Sequence, residues 1–234
     1  MEHRSRALLL AATILALGIV LGGYLLGDGL LRAKRSDRAV TVRGLAERDV
    51  TADLATWTLN YAEQNVDSAA AQADIARDTE TLRRYFAALG FPADALTPAG
   101  AGVSHMMNNG VRTVTITQRL QLRTTDVARA RAAVARQFEL VRQGVQLQEG
   151  SGMAYSFTRL NAIKPAMVAA ATRDARAAAE QFAQDSGTAV GGIRSATQGY
   201  FSVEARDGEG GGYGVADTPF KKVRVVTTVE FYLR

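Results

Sequence analysis

An α+β fold built on antiparallel-rich sheets follows from three features of this 234-residue chain. Runs of alternating apolar and polar residues recur along it, stretches with one apolar helical stripe fall between them, and an Asn-Gly pair separates two of the alternating runs. Alternation buries one face of a strand, and a 3.6-residue period buries one stripe of a helix. Strands with a single buried face are best served by antiparallel sheets with helices packed on one side.

The first element is apolar throughout. Residues 7–27 carry no charge, and their only polar members are Thr13 and Tyr24. At ~1.5 Å per residue such a helix is about long enough to cross a ~30 Å hydrocarbon core. The run predicts one transmembrane helix within an anchoring and juxtamembrane segment, residues 1–38, ahead of a body at 39–234. Gly27-Asp28-Gly29 matches the cleavage site of a secretory signal only weakly, so the segment is expected to stay attached. Arg4 and Arg6 precede the run and Arg32, Lys34, Arg35 and Arg38 follow it. Basic residues counted alone would hold the body in the cytoplasm, which leaves orientation open at this point.

In the body, Val40 to Val42 and then Ala55, Trp57, Leu59 and Tyr61 alternate with polar neighbours and predict two strands, with Trp57 and Leu59 buried on one face. Gly44 and residues 47–49 between them suggest a hairpin or bulge. Asp67 or Ser68 can cap a helix carrying Ile75, Leu82, Phe86 and Leu89 on its apolar stripe, with Asp74, Arg77, Asp78, Glu80, Arg83 and Arg84 on a charged face. The helix should stop at Gly90, before Pro92.

A strand near 99–106 and a return strand with Val114, Ile116, Leu120 and Leu122 flank Asn108-Asn109-Gly110, a hairpin signal. Thr125 or Asp126 opens a helix with Val127, Ala130, Val134, Phe138 and Val141 on one face, ending near Gly144. A strand is expected over 145–157. Pro165 suits the first turn of an alanine-rich helix that exits at Gly187, and strands near 193–205 and 221–234 close the chain. Strand, helix and hairpin thus occur twice, at 50–124 and 153–234, as a possible duplicated unit. RTVTITQRLQLR at 112–123 matches KKVRVVTTVEFYLR at 221–234 in pattern.

The net charge of +5 and the pI of 9.7 could suit a polyanion. However, residues 1–38 hold six basic against three acidic side chains, which leaves 22 against 20 on the body. With no basic stripe interleaved with aromatics, a nucleic-acid partner is not expected. The absence of cysteine excludes disulfides, thiolate metal sites and a lipidated-cysteine anchor.

Candidate chemistry is sparse, and neither catalytic residues nor a metal site nor a cofactor is expected. Asp49 and Asp53, four apart, would share one strand face if the strand is continuous, and paired carboxylates suit acid-base or divalent-metal work. Blunting a strand end is the simpler role. Ser151 in Gly150-Ser151-Gly152 lacks the nucleophile-elbow pattern and reads as a turn. His105-Met106-Met107 offers groups suited to cuprous ion, but adjacent strand residues face opposite ways, so one core and one surface methionine are expected. The glycine-rich loop at 207–214 is followed by Pro219 and a strand, not by the helix that a phosphate loop needs.

VTVRGLAERDVTADLATWTLNYAEQN at 40–65, Ala-Leu-Gly at 88–90, AEQFAQDSGTAVGGI at 179–193 and the closing VRVVTTVEFYLR together resemble the SIMPL domain family over about residues 39–234. The more specific features are the Val-x-Gly-x-Ala opening at Val42 to Ala46 and the Asp-x-Ala strand at Asp53 to Ala55. Members include bacterial periplasmic and outer-membrane-associated immunogenic proteins. The resemblance implies a non-enzymatic envelope protein, a homo-oligomer, in some cases linked to oxidative-stress tolerance, and other envelope proteins as partners. The resemblance also favours the periplasmic face for the body, which with the run at 7–27 gives the expectation of an inner-membrane, single-pass chain. A periplasmic module that binds a small ligand or peptide is the alternative. This chain departs from the pattern in its retained anchor and in the glycine-rich loop near 210.

Overall fold

The structure is a computed structural model that describes residues 15–29, 38–207 and 218–234. Residues 15–29 form helix α1. The rest of the predicted membrane segment, 7–14, lies outside the described residues. Fifteen helical residues extend only about 22 Å, and among the described residues no helix is long and apolar enough to cross a membrane. The described body divides into two compact units: one formed by 47–165 with 201–224, the other by the residues through 46 with 166–200 and 225–234.

The first unit is built on β2 (Leu54–Asn65), α2 (Ser68–Ala88), β3 (Leu96–Asn108), β4 (Val111–Thr124) and β5 (Gly152–Ser156), in a four-stranded antiparallel sheet of order β3-β4-β2-β5. The alternation read from sequence holds. Ala55, Trp57, Leu59 and Tyr61 of β2 and Val114, Ile116, Leu120 and Leu122 of β4 are all buried in one core with Ile75, Leu82 and Phe86 of α2. Trp57 meets Phe86 edge-to-face with centroids 5.5 Å apart. Asp67 caps α2 by accepting a hydrogen bond from the Ala69 backbone N–H at 3.1 Å. The β3–β4 hairpin turns at Asn109 and Gly110, both at positive φ (49° and 80°), as a two-residue turn matched to strand twist requires.

A second, three-stranded sheet has the order β1-β7-β6, from β1 (Ala39–Thr51), β6 (Val190–Ala205) and β7 (Phe220–Leu233). Hydrogen bonds from Leu233 N to Arg38 O and from Ala52 N to Pro219 O set β1 antiparallel to β7. Within the second unit, α5 (Leu160–Asp185) lays Ala175 and Ala179 against Val40, Val229 and Phe231. Ala171, Ala175, Ala179 and Ala183 recur every four residues and are all buried. The Arg176 guanidinium lies 5.0 Å from the Phe231 ring centroid.

Five expectations change. Gly44 and residues 47–49 make no hairpin or bulge; they lie in the unbroken β1, and the chain turns at Ala52-Asp53 instead. Gly44 is glycine because α5 crosses it: a Cβ there would stand 1.9 Å from the Ala171 carbonyl oxygen and 2.5 Å from the Ala175 nitrogen. The helix expected over 126–143 is two short ones, α3 (Val127–Ala135) and α4 (Phe138–Arg142). The break turns Phe138 and Val141 outward, 72% and 52% exposed, and buries Leu140 instead.

The strand expected over 145–157 shrinks to β5. Val145 is buried in a loop, and Leu147 makes only an isolated bridge to Tyr61. Helix α5 begins at Leu160, so Pro165 is its sixth residue and not part of its first turn. The duplication is real in element order but exchanged in pairing. β2 lies beside the last strand of the β3–β4 pair, and β1, not β5, holds the matching place beside β7. β5 joins β2, where Met153 and Tyr155 enter the first core.

Candidate functional site

Asp49 and Asp53 do not share a strand face. Asp49 lies exposed on β1, and Asp53 occupies the corner between β1 and β2. There the Asp53 carboxylate accepts hydrogen bonds from the Thr158 backbone N–H (2.7 Å), the Thr158 hydroxyl (2.9 Å), the Arg159 backbone N–H (3.3 Å) and the Arg159 Nε–H (2.9 Å). Burial alone would raise its pKa; these donors outweigh that effect, the Thr158 amide foremost, and hold it below the ordinary 3.8. Its role is to fix the chain entering α5.

Ser151 is engaged as well. Its hydroxyl accepts from the Asn60 backbone N–H at 2.9 Å and donates to the Asn60 carbonyl at 3.1 Å, satisfying β2 just beyond the five residues that β5 pairs. Gly150 precedes it at φ 82°, in the turn the sequence suggests.

Met106 and Met107 are both exposed, 64% and 69%, which corrects the expectation of one core methionine. β3 is an edge strand, and the residues paired with the two methionines, Thr113 and Arg112 of β4, lie outside the core as well. Among the described residues no group of three His, Cys, Asp or Glu could hold a metal ion. Of the glycine-rich loop, Asp207 is described and pairs with Arg206 at 2.8 Å; 208–214 lie outside the described residues.

Two polar clusters went unrecognised in the sequence. In the first, Asp78 does not sit on a solvated helix face but is buried, in line with Ala71, Ile75 and Leu82. Its carboxyl meets that of Glu63, which continues the inward-facing register of Trp57, Leu59 and Tyr61 on β2. Burial raises both pKa values, and for Glu63 the Asp78 and Asp74 charges add to the rise; Arg77 opposes the shift on each. Asp74 is itself paired with Arg77 at 2.8 Å. Beside them the Tyr61 hydroxyl bonds Thr79 Oγ1 (2.7 Å) and Gln118 Oε1 (2.9 Å). The four- and three-residue spacing of Ala71, Ile75, Asp78 and Leu82 was the available signal, obscured by the charges around Asp78.

The second cluster lies on the sheet face away from α2, where Asn60 of β2, Arg119 of β4 and Gly100 of β3 share one row across three strands. Arg119 Nε donates to Asn60 Oδ1 at 2.8 Å, and Asn60 Nδ2 reaches the Glu149 carbonyl at 3.4 Å. Together with Gly102, Thr117 and Gln148 these residues line a cavity of about 390 Å³. A cavity of about 500 Å³ between α2 and the α3–α4 segment is also charged, but there Arg136 and Glu139 already pair at 2.9 Å.

The family model described as SIMPL, protein of unknown function (DUF541), matches residues 40–231. No curated protein matches the chain.

Proposed function

Because the chain belongs to the SIMPL family, we propose that it is a non-enzymatic, membrane-anchored protein of a bacterial envelope, with its body in the periplasm, that assembles with copies of itself as a scaffold linked to envelope or oxidative-stress tolerance. Anchoring is supported by the uncharged run at 7–27. The non-enzymatic reading draws on the carboxylate of Asp53 and the hydroxyl of Ser151, both committed to holding backbone.

The observation that carries self-assembly is the contrast between the two edges of the three-stranded sheet. On β1, the Leu45 backbone N–H donates to Asp174 of α5 at 2.8 Å, and Gly44 lies hard against the helix. Helix α5 guards that edge. β6, at the other edge, is sixteen residues long and exposed on both faces over 192–198, with Ile193 47% and Tyr200 fully exposed. A long uncovered edge strand is a template for another chain, and tethering to a membrane raises the local concentration of copies. The alanine stripe of helix α5 is spent on the protein's own packing and is not offered to a second copy.

A pair of fusions tests the topology. Alkaline phosphatase joined after Arg234 of the full chain should be active, and a fluorescent protein that matures only in the cytoplasm should stay dark. An inactive phosphatase with a bright reporter overturns the periplasmic placement.

A further inference from the structure

We propose that the cavity on the open face of the four-stranded sheet binds a small zwitterion, its carboxylate on Arg119 and its ammonium on Glu149. This site is independent of anchoring and of self-assembly. Arg119 is clamped from one side only. Asn60, 8% exposed, takes the Nε–H, and the two terminal guanidinium nitrogens have no other partner among the described residues. Those two nitrogens are the fork that receives a carboxylate in two parallel hydrogen bonds. Glu149 lines the same cavity, yet among the described residues it forms an ion pair neither with Arg119 nor with any other cation. Two opposite charges that share a cavity without meeting each other suit a ligand carrying both.

The floor of the cavity points the same way. On the flank of Arg119 opposite Asn60 stands Gly100, and the next position on that face is Gly102, so β3 presents a window without side chains. Neither glycine has positive φ, and a Cβ added at either would meet nothing within 4 Å; Gly100 adjoins the register shift that follows Pro98, whereas Gly102 lies in regular pairing and is not demanded by the fold. Glycine weakens a strand and exposes its backbone, and it commonly marks where a ligand approaches closely. The volume of about 390 Å³ falls in the range of small-molecule sites.

The test is equilibrium dialysis of the full-length protein in detergent against radiolabelled L-alanine and glycylglycine, with acetate and methylammonium as single-charge controls. At least one zwitterion should bind saturably, about tenfold or more tighter than either control, since one charge-assisted contact is worth about that factor. Glu149→Gln, an exposed position, and Gly102→Val, which fills the window with a residue favoured in strands, should each weaken binding by about tenfold without lowering the melting temperature. Three results overturn the proposal: no saturable binding up to about 10 mM, beyond the millimolar end of specific affinity; controls that bind as well as the zwitterions; or binding unchanged in both variants.

Discussion

Glu63 and Asp78 face each other where β2 meets α2, and burial there favours their protonated forms. Asp74 and Arg77 on α2 and Tyr61 on β2, with its Gln118 partner on β4, surround the pair. Burial raises both carboxyls above their ordinary values of 4.5 and 3.8. Below those values the proton is held in the folded and the unfolded chain alike. As pH rises the unfolded chain ionises first, so it binds fewer protons than the folded one and stability falls until the folded pair has ionised too. Glu63→Gln removes one titrating carboxyl. Denaturant titrations from about pH 4 to pH 8 should show wild-type stability falling with pH across this window and a flatter profile in the variant, with the variant the more stable at the alkaline end. Parallel profiles would show that the pair shares no proton. Alternation made Trp57 and Leu59 legible as core, because each needs only its own strand. Asp78 was illegible because its burial depends on Glu63, fifteen positions earlier on another element, and on the way α2 is rotated above it.

Among the elements, α2 and the β3–β4 hairpin were readable since their caps and turn are local: Asp67 beside Ala69, Asn109 beside Gly110. The start of α5 was not, because the group that fixes it is Asp53, 105 residues away from Thr158 in sequence. The same separation hid the purpose of Gly44, which looked like a turn residue and is in fact the point where α5 crosses β1. It also gives the Val-x-Gly-x-Ala opening a physical meaning. Val42 packs against the second core, Gly44 admits the helix backbone, and Ala46 is buried. Gly44→Ala forces a methyl group into backbone that has no rotamer to yield, so it should cost about 3 kcal/mol, at the upper end of ordinary overpacking. Urea denaturation of the full-length variant checks this, and a loss under about 0.5 kcal/mol, the range of neutral surface changes, would mean that the helix does not lie where described.

For the whole molecule, the twofold recurrence of strand, helix and hairpin was visible in the sequence, but the exchange of β1 for β5 was not. Pattern matching compares elements along the chain, whereas pairing is settled by which core can take the strand. β5 offers only Met153 and Tyr155 as buried residues, while β1 runs thirteen residues with α5 across it. Both candidate polar clusters were likewise unreadable, since each gathers residues from three or more separate segments. The same topology leaves β6 as the edge that nothing among the described residues guards, and self-assembly rests on it. The most direct test is the mass of the detergent-solubilised full-length protein by light scattering at micromolar concentration, with Tyr200→Lys beside it. A charge on an exposed edge blocks strand addition while leaving the fold untouched. The wild type should exceed the monomer mass of 25.0 kDa, after allowance for detergent, and the variant should return toward it. A wild type that stays monomeric throughout the accessible range, or a variant that assembles equally well, would contradict assembly through β6.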